Sequence, residues 1–121
     1  TTLAEVAAVV DGLGAQSEAV QPLFISVDPE RDTPASLADY VPRFDAGIIG
    51  LTGTPDQVTR TAESFHVYYE KIVEAAAPDG YTMAHSSQLL LFDPAAGFVT
   101  TWPYGTSSED ILTDLRRYIS E

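Results

Sequence analysis

The sequence predicts an α/β fold, and three observations carry that prediction. Helical and strand-like segments alternate through the first part of the chain. The last third turns to β-branched and aromatic runs separated by turn residues, and an amphipathic helix closes it. The expected order is helix, strand, helix, strand, helix, three strands, helix. That order is the second part of a thioredoxin-like α/β sandwich.

Each element has a local reason. Leu3, Val6, Ala7, Val10 and Leu13 recur at helical spacing, Thr2 and Glu5 have the form of a capping box, and Gly12 and Gly14 are expected to stop the helix. Leu23 to Val27 reads as a short strand ending in the turn-rich Asp28-Pro29-Glu30-Arg31-Asp32. Thr33 then caps a helix with Pro34 at its first position, an apolar face of Leu37, Tyr40, Val41 and Phe44, and a stop or kink at Pro42. Ile48 to Leu51 reads as a buried strand. Thr54-Pro55-Asp56-Gln57 opens a third helix with a cap, a proline and a Gln able to close a capping box, continued by Val58, Ala62 and Phe65.

The final third begins with the strand-like run 67–73 and the turn Pro78-Asp79-Gly80. Tyr81 to Ser87 reads as a polar loop. Gln88 to Phe92 and Phe98 to Trp102 are two further strands joined through Asp93 to Gly97. Ser107 or Ser108 caps a last helix carrying Ile111, Leu112, Leu115 and Ile119.

Composition narrows the function. The 121 residues suffice for one domain, 1–121, that buries roughly two-thirds of its unfolded surface. Six basic residues stand against 18 acidic ones, a formal charge of −12. Nucleic acid and anionic membrane surfaces both demand clustered Lys and Arg, so neither is an expected partner. The absence of cysteine excludes disulfides, zinc ribbons and thiol nucleophiles within these residues.

The chemistry-bearing candidates are few. His66 and His85 are the only side chains whose ordinary pKa lies near neutrality, and their spacing fits no local metal motif. His66, at a helix end, reads as a partly buried, hydrogen-bonded side chain. His85, at the mouth of the apolar strand 88–92 and followed by Ser86 and Ser87, is a site candidate as well as a structural one. Asp28, Glu30 and Asp32 lack the glycine and closing glutamate of an EF-hand, so a helix cap and solvated loop are expected there. No nucleophile elbow of the Gly-x-Ser-x-Gly kind and no glycine-rich phosphate loop is present.

Taken together, Phe24-Ile25-Ser26-Val27-Asp28-Pro29-Glu30-Arg31-Asp32-Thr33-Pro34 closely resembles the signature of the Sco/SenC family of copper proteins. Leu51-Thr52-Gly53-Thr54, the stretch 65–71 and His85-Ser86 match the same family in the same order. The resemblance implies a thioredoxin-like, metallochaperone-type protein that assists assembly of the dinuclear copper centre of cytochrome c oxidase. It implies copper as the bound metal, held by two cysteines of a Cys-x-x-x-Cys-Pro motif and by the histidine of the His-Ser pair, here His85. Two thiolates and an imidazole make a soft site suited to Cu(I), with an open position for transfer.

Two departures accompany the resemblance. Ala84 stands where the family commonly has Asp, and the cysteine pair with its preceding strand has no counterpart here. The chain is therefore expected to be a segment of a longer protein, inactive alone, or to fill the gap in its sheet by swapping with a second copy. The alternative function is a thiol-disulfide oxidoreductase of the same fold. The resemblance also implies an anchored protein on the periplasmic side of the bacterial inner membrane, with the mitochondrial intermembrane space as the other compartment. The implied partners are the copper-bearing oxidase subunit or another copper chaperone.

Overall fold

The structure, a computed structural model, describes residues 2–85 and 88–120, with His85 described by its backbone. Ser86 and Ser87, which flank His85 in the sequence reading, lie outside the described residues, as does Thr1. The elements are α1 (Thr2–Leu13), β1 (Leu23–Ile25), α2 (Pro34–Tyr40), β2 (Ile49–Leu51) and α3 (Pro55–Ser64). They continue with β3 (Tyr69–Val73), β4 (Tyr81–His85), β5 (Leu89–Phe92), β6 (Phe98–Trp102) and α4 (Ser108–Ser120). Two 3₁₀ segments, Gly14–Ala19 and Val41–Phe44, follow α1 and α2. Hydrogen bonds pair β1 with β2, β3 with β4 and β5 with β6. No helix among the described residues is long and apolar enough to cross a membrane.

The chain divides into two compact units. The first comprises residues 1–23, 41–49 and 87–121, and its core is Val9 and Leu13 of α1, Trp102 of β6, and Ile111 and Leu115 of α4. Leu89, Leu91, Leu112 and Ile119 pack against that cluster. The helical stripe of α4 is the predicted one, whereas α1 buries Val9 with Leu13 and leaves Val6 and Val10 half-buried. Gly12 does not stop α1. A Cβ there would come within 2.7 Å of the Leu112 Cδ2, so the glycine permits close approach of the two helices. Arg116 then donates to the Gly12 carbonyl at 2.7 Å, satisfying one of the free acceptors at the end of α1.

In the same unit the buried Trp102 indole donates to Asp114 at 3.0 Å, as a buried N–H requires. The predicted turn between β5 and β6 is built on Asp93, whose carboxylate accepts from the backbone N–H groups of Ala95 and Gly97 at 2.9 and 2.8 Å. Phe92 and Phe98 meet edge to face across the hairpin, ring centres 5.8 Å apart.

The second unit comprises residues 24–40 and 50–86. Ser26 N–H donates to the Leu51 carbonyl at 2.9 Å, tying the end of β1 to β2. Thr33 and Ser36 exchange hydrogen bonds at the start of α2 (2.9 and 3.1 Å), a reciprocal cap on the predicted helix. The expected box on α3 is complete: Thr54 Oγ1 accepts from the Gln57 N–H at 3.2 Å, and the Gln57 side chain accepts from the Thr54 N–H at 2.9 Å. Val58 and Ala62 supply the buried face of α3.

Two elements depart from expectation: β2, read as a buried strand, leaves Ile49 47% and Leu51 41% exposed, and the other departure is β4. Residues 81–85 form strand β4, not a loop, so the last third holds four strands rather than three. β4 pairs antiparallel with β3 in unbroken register from Val73–Tyr81 to Tyr69–His85. The Pro78-Asp79-Gly80 turn after the β-branched and aromatic run 67–73 is a hairpin signal, masked by the small and polar residues of 82–87.

Two stability effects follow. Thr54→Ala is expected to lower unfolding free energy by about 1 kcal/mol through loss of the helix cap. Leu115→Ala, which opens a cavity in the first unit's core, is expected to lower it by about 2–5 kcal/mol. Urea unfolding followed by circular dichroism measures both, and equal losses would contradict the assignment of Thr54 as a cap alone.

Candidate functional site

The sequence motif 26–34 closes on itself before it touches anything else. Ser26 is only 1% exposed, and its hydroxyl donates to Asp32 at 2.6 Å while accepting from the Asp28 N–H at 2.9 Å. The Asp28 carbonyl accepts from the N–H groups of Arg31 (3.3 Å) and Asp32 (2.9 Å), which folds residues 28–32 into a tight turn. The carboxylate of Asp28 points inward, and the residue is 8% exposed. This corrects the reading of the acidic cluster as a solvated loop: Asp28 is buried and Asp32 is half-buried, while Glu30 remains exposed.

A buried carboxylate must find partners, because losing water without replacement costs several kcal/mol. Asp28 has two. Arg31 Nε donates to its Oδ2, and the Tyr81 hydroxyl lies 3.0 and 3.3 Å from its two oxygens. Arg31 also stacks its guanidinium 4.3 Å from the centre of the Tyr81 ring and donates to the Tyr81 carbonyl at 3.4 Å. Lys71, the only lysine in the chain, places its ammonium 4.1 Å from the same ring centre and pairs with Glu30 at 3.0 Å. Cations over an aromatic ring are attracted by its negative face.

The turn therefore grips the hairpin on both strands, through Tyr81 at the start of β4 and through Lys71 in the middle of β3. Neither residue was singled out by sequence reasoning. The signal available was the aromatic residue that opens the strand after Pro78-Asp79-Gly80, yet its partner lies 53 positions away and no local pattern reports such a pair.

Electrostatics follow the same contacts. Burial pushes the Tyr81 phenol up to about 12, helped by its hydrogen bond to Asp28 and by that residue's negative charge. The Arg31 guanidinium is raised as well, first by its hydrogen bond to Asp28.

The two histidines stand differently from the sequence reading. His66 is exposed, not partly buried. It follows α3 in the left-handed region (φ 56°), with its N–H donating to the Glu63 carbonyl at 3.2 Å. His85 ends β4, opposite Tyr69 of β3. Among the described residues no group of three or more His, Cys, Asp or Glu stands together as a metal cage. With no cysteine in the chain, the donor set contributes at most one of the three ligands implied by the resemblance.

The raised Tyr81 pKa has a definite pH signature. The folded state keeps that proton to higher pH than the unfolded chain, so its stabilising effect is complete below pH 10 and lost as pH rises towards about 12. Absorbance at 295 nm is expected to show a last phenolate step near pH 12 that disappears in Tyr81→Phe. Persistence of that step in the variant would show that another tyrosine carries it.

Comparison with known proteins gives a consistent answer. The SCO1/SenC family profile matches residues 1–120. The mitochondrial SCO2 homolog of Bos taurus is 39% identical over 101 residues, covering 84% of this chain and 38% of the relative. Protein SenC of Rhodobacter capsulatus is 38% identical over 93 residues, 77% of this chain and 41% of that protein. The chain thus spans well under half the length of these relatives. Among solved structures, copper-bound ScoI of Arabidopsis thaliana matches with a TM-score of 0.89 and 34% identity, covering 98% of this chain and 73% of that one. Copper-bound ScoI of Bradyrhizobium japonicum matches at 0.84 and 36%, covering 98% and 74%. The expected thioredoxin-like fold rests on this likeness over nearly every residue. By family profile, sequence identity and backbone alike, this chain belongs to the SCO1/SenC family.

Proposed function

We propose that the chain is the greater part of a copper-binding, metallochaperone-type domain that assists assembly of the copper centre of cytochrome c oxidase. The observation that supports this most is the match over 98% of the chain to two relatives whose structures contain copper. Copper is cargo in this reading, and His85, at the end of β4, is the ligand this chain supplies.

The chemistry agrees with that role only in part within these residues. An imidazole alone holds copper weakly and without selectivity; two thiolates beside it make the site soft and suited to Cu(I). The activity is therefore assigned to the form of the protein that carries the family's two cysteines. A periplasmic site on the bacterial inner membrane is the compartment proposed. The copper-bearing oxidase subunit, or a second copper chaperone, is the proposed partner, and a charge of −12 favours a basic docking face on it.

In the cysteine-bearing form, His85→Ala is expected to weaken copper binding by more than the about 10- to 100-fold that removal of a residue merely supporting a ligand costs. Thiol exchange with a disulfide substrate is expected to survive the change. Competitive titration against a copper chelator, with a parallel disulfide-reduction assay, measures the two activities. Unchanged copper affinity together with impaired thiol exchange would assign the domain to disulfide chemistry instead.

A further inference from the structure

The β3–β4 hairpin has little of its own to hold it in place. A two-stranded hairpin is marginal in water, and β3 leaves Ile72 44% and Val73 86% exposed. Its order must come from what grips it. The buried grip is the Tyr81 ring, 7% exposed, with the Asp28 carboxylate on its hydroxyl and Arg31 on both its ring and its carbonyl. Lys71 extends the grip to β3, although at 48% and 62% side-chain exposure its pair with Glu30 is worth little alone.

From this we infer that the Asp28–Arg31 turn is a clamp that positions His85, with Tyr81 as the positioning residue through which it acts. The inference rests on the copper reading above. Tyr81 opens β4 and His85 ends it. With a strand rise of about 3.3 Å per residue, some 13 Å of backbone separates them. Five consecutive register pairs join β4 to β3 without a bulge, so a change of angle at Tyr81 is carried along the ladder to the His85–Tyr69 pair. The turn reaches the ligand's strand without supplying a ligand. Of its acidic residues, Asp28 serves a carboxylate–phenol–guanidinium network, Asp32 accepts from Ser26 and Glu30 pairs with Lys71.

The test uses the cysteine-bearing form, with Cu(II) as the probe. Tyr81→Phe keeps the ring and removes the hydroxyl, and Lys71→Met removes one cation from an exposed position. Val58→Ala, in the same unit but on α3, is the control for general loss of stability. Copper dissociation is followed by transfer to a chelator. Geometry at the metal is followed by electron paramagnetic resonance, and hairpin order by amide hydrogen exchange of residues 69–73 and 81–85.

Tyr81→Phe is expected to speed copper loss about 10-fold or more, to broaden the nitrogen hyperfine pattern and to hasten hairpin exchange. Lys71→Met is expected to do the same more weakly, and Val58→Ala to leave dissociation and hyperfine pattern unchanged. Wild-type dissociation and hyperfine pattern in Tyr81→Phe would overturn the clamp, as would an equal effect from Val58→Ala. If His85→Ala also leaves copper binding untouched, the copper reading falls and takes the clamp with it. If His85→Ala abolishes binding while Tyr81→Phe changes nothing, the clamp alone falls.

Discussion

A single carboxylate removed from water organises the second unit. Asp28 is buried at 8% exposure, and a charge so placed is stable only while its partners stay. Arg31 and Tyr81 are those partners, and each brings a different part of the chain with it. Arg31 keeps the 28–32 turn closed, and Tyr81 fixes the start of β4. Removing either leaves the buried Asp28 with one partner fewer, which couples the turn and the hairpin.

That coupling explains why a long sequence motif contains so few exposed groups able to react. Ser26 and Asp32 close the turn from within, Thr33 starts α2 with Ser36, and Asp28 and Arg31 face Tyr81. Glu30 is exposed and meets Lys71, and Arg31, although exposed in part, spends its donors on Asp28 and the Tyr81 carbonyl. The motif is thus a structural joint whose chemistry is electrostatic. Two of the chain's six cations lie against one aromatic ring, in a protein whose net charge is −12.

How legible this was depended on range. The cap of α3 and the core stripe of α4 were readable because their signals lie within one or two helical turns. The turn at Asp93 was readable for the same reason. β4 was not, because Thr82, Ala84 and the serines that follow dilute its alternation, and its pairing with β3 is what makes it a strand. The burial of Asp28 was invisible for a related reason: a carboxylate in a Pro- and charge-rich segment reads as solvated until its tyrosine is known. His85 entered as a candidate through its neighbours in sequence and through family resemblance. Its place opposite Tyr69 came only from the fold.

The chain contains one tryptophan, and it belongs to the first unit's core. Its indole is 7% exposed and hydrogen-bonded to Asp114, so its emission reports on the packing between β6 and α4. The second unit holds no tryptophan and presents Tyr68, Tyr69 and Tyr81 along its hairpin. Selective excitation at long wavelength therefore observes one unit, whereas tyrosine signals combine Tyr40, Tyr68, Tyr69 and Tyr81 of the second unit with Tyr104 and Tyr118 of the first. Tryptophan emission thus reports on the first unit alone, and a melting curve of the mixed tyrosine signal that departs from it would show that the units do not unfold together.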